Sequence, residues 1–556
     1  QIPSGGIYAK NTSQTDTYTV QNSIEFNHVF KEDHVVNLMA VSEIRQIKTD
    51  GLSATYYGWL PERGETFSPA ITTGYTNLLA TGALNPTLDK STKNYVSWIF
   101  TGSYSYRDKL LLNGNVRMDG SNQFGSNPKY RFLPIWSISG KYTLSKENFL
   151  KDSDIISYLA FRASYGIQGN VDGGTSPDLV LKIGSQNSIT GHNESTVAYL
   201  PNPDLRWEKT ESFNLGIDLA LFSDRISVVA DVYKKRGTDM IMNKNVSQSN
   251  GVQTVKINAG KVDNSGVEVG FRFVPFRTKD WDTALEINYS YNRNKLIDAN
   301  EALVTNEDKL AGNGQVVGEA LGTLYSYDYV GLDPESGYPV FRDMYGETTH
   351  ENDNGKIIPN YTLWSDEVNL VKSGVMTAPS QGGINLSVGW KGLRLSGSFT
   401  YQFGGVNRLS GIYGSNSNRV YDPMSNVSKE YTKRWRKSGD EAKTDIPVLY
   451  NSRVFNKLSL RTYMTGKTET KGTTMYDKSN VRVAKTDFLK MRSLSLNYVI
   501  PTKFISKWRL DQCTIGLQAT NLFTWADKRW EGSDPEAAFA TSPLTRTYTL
   551  NLNITF

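Results

Sequence analysis

Cysteine is almost absent from this sequence, and histidine is scarce: one Cys, Cys513, and four His occur in 556 residues. A single thiol excludes an intrachain disulfide framework and any metal cluster built on several thiolates. Cys513 falls on the apolar row of its segment with Ile515 and Leu517, and it reads as a small hydrophobe. His28, His34, His192 and His350 are scattered, with no pair at the i, i+4 spacing and Glu between that a zinc hydrolase uses. No run of about 18 apolar residues exists, which excludes membrane-crossing helices. An excess of one charge is lacking too. With 61 basic and 56 acidic residues the net charge is +5, too balanced to imply a nucleic-acid partner. The first residues, from Gln1, carry neither a basic n-region nor an apolar h-region. The expectation is a mature or processed chain, or one whose beginning lies upstream.

What the sequence does have is 31 Tyr, 47 Gly and a period of two. In residues 545–556, Tyr548, Leu550, Leu552, Ile554 and Phe556 alternate with Thr547, Thr549, Asn551, Asn553 and Thr555. Strict alternation means a strand whose two faces meet different surroundings. A soluble sandwich would bury the apolar row. Here the pattern recurs along the whole chain, with aromatic strand ends and a terminal Phe, which indicates a transmembrane antiparallel β-barrel, all-β, with lipid outside and a polar lumen inside. A negative mean hydropathy fits this, because only alternate strand residues face lipid.

The pattern predicts strands at 16–30, 34–49, 95–106, 109–118, 132–144, 158–168, 208–221, 225–236, 261–275, 281–294, 381–390, 393–403, 485–500, 511–524 and 545–556. That is about 15 strands, joined alternately by short turns and long loops, as expected of short periplasmic turns and long extracellular loops. The large loops are expected at about 50–94, 169–207, 295–380 and 405–484. Phe213, Leu215, Ile217, Leu219, Ile384, Leu386, Val388, Leu494, Leu496 and Tyr498 are expected to face lipid. Asn214, Asp218, Asn385, Ser387, Ser495 and Asn497 should face the lumen. Residues 1–556 read as one unit, the C-terminal part of a barrel. An odd strand count with an inward first strand implies further strands before Gln1, since an open sheet in lipid leaves unpaired backbone groups at its edges.

Several stretches together resemble the SusC-like (RagA-like) TonB-dependent outer-membrane transporters of Bacteroidota. They include Leu159-Ala-Phe-Arg-Ala-Ser-Tyr-Gly-Ile-Gln-Gly-Asn170, Asn202-Pro-Asp-Leu-Arg-Trp-Glu208 and Ser265-Gly-Val-Glu268. Further on come Gly331-Leu-Asp-Pro-Glu-Ser-Gly337, Phe488-Leu-Lys-Met-Arg-Ser-Leu-Ser-Leu-Asn-Tyr498, Ala519-Thr-Asn-Leu-Phe-Thr-Trp525 and Asp534-Pro-Glu536. The resemblance implies a 22-stranded barrel with an N-terminal plug that is absent from this chain. It also implies import of glycan or peptide oligomers, driven by TonB through the missing N-terminal part, with a SusD-like surface lipoprotein as lid. A second reading is a transport-inactive barrel that serves as a scaffold in an outer-membrane protein assembly.

No catalytic constellation emerges, so no enzyme activity, cofactor or metal site is expected. Asp333-Pro-Glu-Ser-Gly337 and the acidic run at 351–355 offer carboxylates to a cation, but turn chemistry and a solvated loop explain them more simply. Substrate or lid contact is expected in the two largest loops, from Trp364, Tyr413, Tyr421, Trp435 and Tyr450, whose flat faces suit sugar rings or peptide side chains, with Arg419 and Arg436 as polar partners. The competing reading packs these aromatics between the loops. The terminal row Tyr548, Leu550, Leu552, Ile554 and Phe556 is similar to the signal read by the barrel-assembly machinery.

Overall fold

The computed structural model describes residues 5–68, 73–80, 84–123, 127, 132–170, 178–187, 189–252, 254–299, 304–351, 356–412, 428–449, 469–470, 472–530, 533–537 and 544–556. Its strands follow one another in a meander: β1 (Gly6–Phe30), β2 (His34–Leu60), β3 (Thr87–Tyr106), β4 (Leu110–Ser121), β5 (Phe132–Thr143), β6 (Ile156–Asn170), β7 (Glu208–Leu221) and β8 (Ile226–Asn245). The meander continues through β9 (Thr254–Phe273), β10 (Trp281–Asp298), β11 (Ser380–Trp390), β12 (Leu393–Phe403), β13 (Phe488–Val499), β14 (Gln512–Thr520) and β15 (Thr547–Thr555). Each pairs antiparallel with its neighbour in sequence. Two short strands, Thr66–Phe67 and Thr524–Ala526, bring the sheet to 17 strands.

Every segment expected from the alternation is a strand of this sheet. The turns between them are tight because the sequence supplies residues that tolerate positive φ. Lys391 (φ 45°) and Gly392 (φ 87°) form the two-residue turn between β11 and β12, the left-handed pair that matches strand twist. Arg107 and Asp108, both at φ 50°, open the three-residue turn between β3 and β4.

The apolar rows have no second layer over them among the described residues. Of the residues expected to face lipid, Phe213, Leu215, Leu386, Leu496 and Tyr498 stand exposed, while Ile217, Leu219, Ile384, Val388 and Leu494 are half-buried between neighbouring strands and none lies in a packed core. The polar rows line the other face.

Several strands run further than their alternation. β1 begins at Gly6, β2 continues to Leu60 and β3 starts at Thr87, so much of the loop expected at 50–94 is strand. The added stretch of β1, residues 6–15, is largely polar on both faces, yet it pairs residue for residue with β2 from Ile7↔Tyr57 to Thr15↔Thr49. Beyond the bilayer both faces meet water. The ladder of backbone hydrogen bonds persists there while the reason for alternation ends.

Candidate functional site

Inside the wall, charge is placed where the sheet can neutralise it. Arg162 on β6 donates from Nε to Asp218 on β7 at 3.0 Å and from its two terminal nitrogens to Asp231 on β8 at 3.1 and 3.0 Å. Asn214 Nδ2 adds a bond to Asp231 at 3.1 Å. The network needs Gly216, because a Cβ there would lie 2.6 Å from the Asp231 carboxylate and 2.8 Å from the Arg162 guanidinium. Beside it a hollow of about 500 Å³ opens on the polar face, lined by Asn113, Ser139, Lys141, Arg162, Gln168 and Asn214. Side-chain donors and acceptors share this lining with apolar surface from Leu111, Ala163 and Tyr165, so the hollow offers both kinds of contact to a cargo.

The two largest loops fold together. Leu310, Tyr327, Phe341 and Leu363 from the first pack with Ile412, Tyr431, Met475 and Tyr476 from the second into one hydrophobic core. Backbone pairing stitches them as well: Leu363–Trp364 pairs with Glu469–Thr470. Arg482, with only 2% of its side chain exposed, forms a two-point ion pair with Glu430 and donates to the Ser410 carbonyl at 2.6 Å. Arg408 donates to the carbonyls of Leu310 and Tyr325, and burial pulls its pKa down to about 10. Burial raises the phenol pKa values of Tyr329, Tyr361, Tyr431 and Tyr476.

A second clamp holds the last long loop. Lys490 on β13 is 1% exposed and bonds Asp534 at 2.5 Å and also Glu536, which in turn pairs with Arg492. Asp534-Pro-Glu536 thus closes onto the Lys490/Arg492 pair of another motif. Both motifs are visible in the sequence, but nothing in their spacing joins them. The signal available was two cations within three residues of a strand expected to be half polar.

The residues expected to meet substrate or lid are placed as follows. Trp364 is half-buried in the short strand that links the two loops. Trp435 is 8% exposed, donates from Nε1 to Glu441 at 3.1 Å, and lies so close to Gly337 (φ 69°) that a Cβ there would sit 2.3 Å from its ring. Arg436 is exposed and donates to the Thr432 carbonyl at 3.2 Å. Tyr413, Arg419, Tyr421 and Tyr450 lie outside the described residues, as does most of the acidic run at 351–355. Asp333 accepts from the Ser336 hydroxyl and, at 2.7 Å, from Tyr361 Oη, so its carboxylate organises the turn. Tyr548, Leu550, Leu552, Ile554 and Phe556 form an exposed row on β15 and the final residue.

A meander of this length, with bare apolar rows outside and polar rows inside, defines an outer-membrane β-barrel chain. It belongs to the family described as TonB dependent receptor-like, beta-barrel, whose model matches residues 3–370. Among curated proteins, TonB-dependent receptor P3 of Formosa agariphila is 25% identical over 491 residues, 82% of this chain and 45% of that protein. TonB-dependent receptor SusC of Bacteroides thetaiotaomicron is 26% identical over 275 residues, 46% of this chain and 27% of that protein. Among solved structures, the RagAB peptide transporter matches with a TM-score of 0.78 at 22% identity, over 99% of this chain and 56% of that one. The chain spans about half the length of P3 and the related receptor P39, 45% and 50%. The SusC-like resemblance of its motifs is thereby established, and the family is one of transporters and receptors.

Proposed function

We propose that this chain forms the wall and outer entrance of a TonB-dependent importer that carries an oligomeric nutrient, a glycan or a peptide, across the outer membrane. A SusD-like lipoprotein acts as its lid. The observation that carries the reading is the combination of a hydrogen-bonding polar wall with a folded loop body at its outer mouth. A passage for polar oligomers needs the first to replace water contacts along the way. It needs the second to present a fixed surface to cargo and lid. Coupling to TonB and pairing with a lid come from the family, and the RagAB likeness favours peptide as cargo. Trp364, Tyr413, Arg419, Tyr421, Arg436 and Tyr450 are the proposed cargo or lid contacts, while the burial of Trp435 favours a supporting role for it. The test is deletion of the gene for the whole receptor, followed by uptake of fluorescent peptide and glycan oligomers. Loss of uptake of one class, restored by the intact gene, is expected. Unchanged uptake of both classes, with loss of a surface protein complex, overturns the proposal in favour of a scaffold.

A further inference from the structure

The periplasmic turns of this barrel differ in how they hold charge. Those joining the first strands neutralise themselves: Arg107 pairs with Asp33 at 2.7 Å, Lys109 with Glu147 at 3.0 Å, and Lys146 with Asp108 at 3.4 Å. The turn between β13 and β14, residues 500–511, holds three cations against one carboxylate, Asp511. Lys503, Lys507 and Arg509 are all exposed, and none has an ion-pair partner among the described residues. Phe504 and Trp508 stand beside them, 59% and 72% exposed, with the Lys503 ammonium 4.9 Å from the Phe504 ring.

This is a built surface and not a loose end. Ile505 is 1% exposed and pins the turn to the barrel. Ile500 N donates to Cys513 O at 2.9 Å and Asp511 N to Thr555 O at 2.8 Å. The turn also continues a lipid-facing aromatic rim. Val499 N bonds Gly392 O at 2.9 Å, next to Trp390, whose ring lies 6.1 Å from that of Trp281, and Tyr498 stands exposed on the same apolar row as Leu496.

We infer that the 500–511 turn is a binding site for the anionic headgroups of phospholipids in the periplasmic leaflet. Aromatic rings of this kind settle at headgroup depth, and unpaired Lys and Arg there attract lipid phosphate that carries net negative charge. Continuity with the lipid-facing rim favours a bilayer over a periplasmic protein as the occupant. The site goes beyond the import reading and does not depend on it.

The test uses the intact receptor reconstituted in vesicles of phosphatidylcholine with a minor share of phosphatidylglycerol, one or the other brominated on its acyl chain. The difference in fluorescence quenching between wild type and Trp508→Phe isolates Trp508. Brominated phosphatidylglycerol is expected to quench Trp508 out of proportion to its share. Each of Lys503→Gln, Lys507→Gln and Arg509→Gln should lower the relative affinity for it about fivefold. Heat-modifiable gel mobility confirms that the variants are folded, and native mass spectrometry of wild type, counting retained phosphatidylglycerol against phosphatidylcholine, gives a readout that needs no variant. Quenching in proportion to lipid share, or a preference that survives removal of all three cations, overturns the inference. Absence of quenching by either lipid also overturns it and points to a protein partner.

Discussion

The wall and the loop body handle apolar side chains in opposite ways. On β7 and β11, each flanked by strands on both sides, Leu215 and Leu386 are 49% and 44% exposed, whereas Phe341, Leu363 and Tyr476 in the loop body are fully buried. The wall is one sheet thick and borrows its apolar environment from lipid. The loop body, surrounded by water, makes its own. Charge is held differently in each: in the wall on the polar row among carboxylates, as with Arg162, and in the loop body buried against a carboxylate, as with Arg482, or against backbone carbonyls, as with Arg408.

The sharpest way to break this contrast is to unpair a charge in the loop body. Arg482→Ala leaves Glu430 without its partner and should cost about 3–5 kcal/mol, read as loss of hydrogen-exchange protection confined to the two large loops. Protection lost equally in the wall would mean that the two regions are one cooperative unit. In the wall, Ile217→Lys places a charge on the lipid row and should cost about 2–4 kcal/mol if the position lies near the midplane, measured by urea unfolding in vesicles. An unchanged midpoint would put the apolar row away from lipid.

Alkaline pH separates the regions without mutation. Burial, the main cause, raises the pKa of Tyr329, Tyr431 and Tyr476 above the ordinary 10.0 of a phenol. A raised folded-state pKa stabilises the fold fully below pH 10, and that contribution is lost as pH rises through the folded value. The loop body is therefore expected to open above about pH 10 while the wall persists, seen as late phenolate absorbance coincident with loop proteolysis. Phenolate absorbance that completes near pH 10 with the loops intact would contradict their burial.

The smallest effect on the finished molecule concerns Phe556. If the terminal row is an assembly signal, deleting Phe556 should lower the folded fraction in the outer membrane more than Leu386→Ala does, and leave the stability of the assembled barrel little changed. Equal yields by heat-modifiable mobility would leave these residues with lipid contact alone.

The same contrast explains what was legible in the sequence. Lipid on one face and water on the other impose a period of two, so each of the fifteen strands could be read directly from rows such as Phe213-Leu215-Ile217. Where that constraint stops, legibility stops with it. Residues 6–15 form strand without alternation, and the loop core joins Leu310 to Tyr476 with no repeat to announce it. Of the aromatics singled out as site candidates, Trp435 proved to be packed over Gly337. Chemistry suited to a ligand is equally suited to a core, and only the position of a distant glycine distinguishes them.

The length of the strands has a consequence for how the wall comes apart. A strand of about 9–11 residues spans a bilayer, yet β2 has 27 residues and stays in register with β3 from His34↔Tyr106 to Ser53↔Thr87. One continuous zipper thus crosses two solvents. Its lower teeth cannot part without stranding amides in hydrocarbon, whereas its upper teeth can trade partners with water at small cost. Fraying will begin at the outer end and halt at the membrane surface, so the ladder melts in two regimes with a boundary set by lipid thickness and not by sequence.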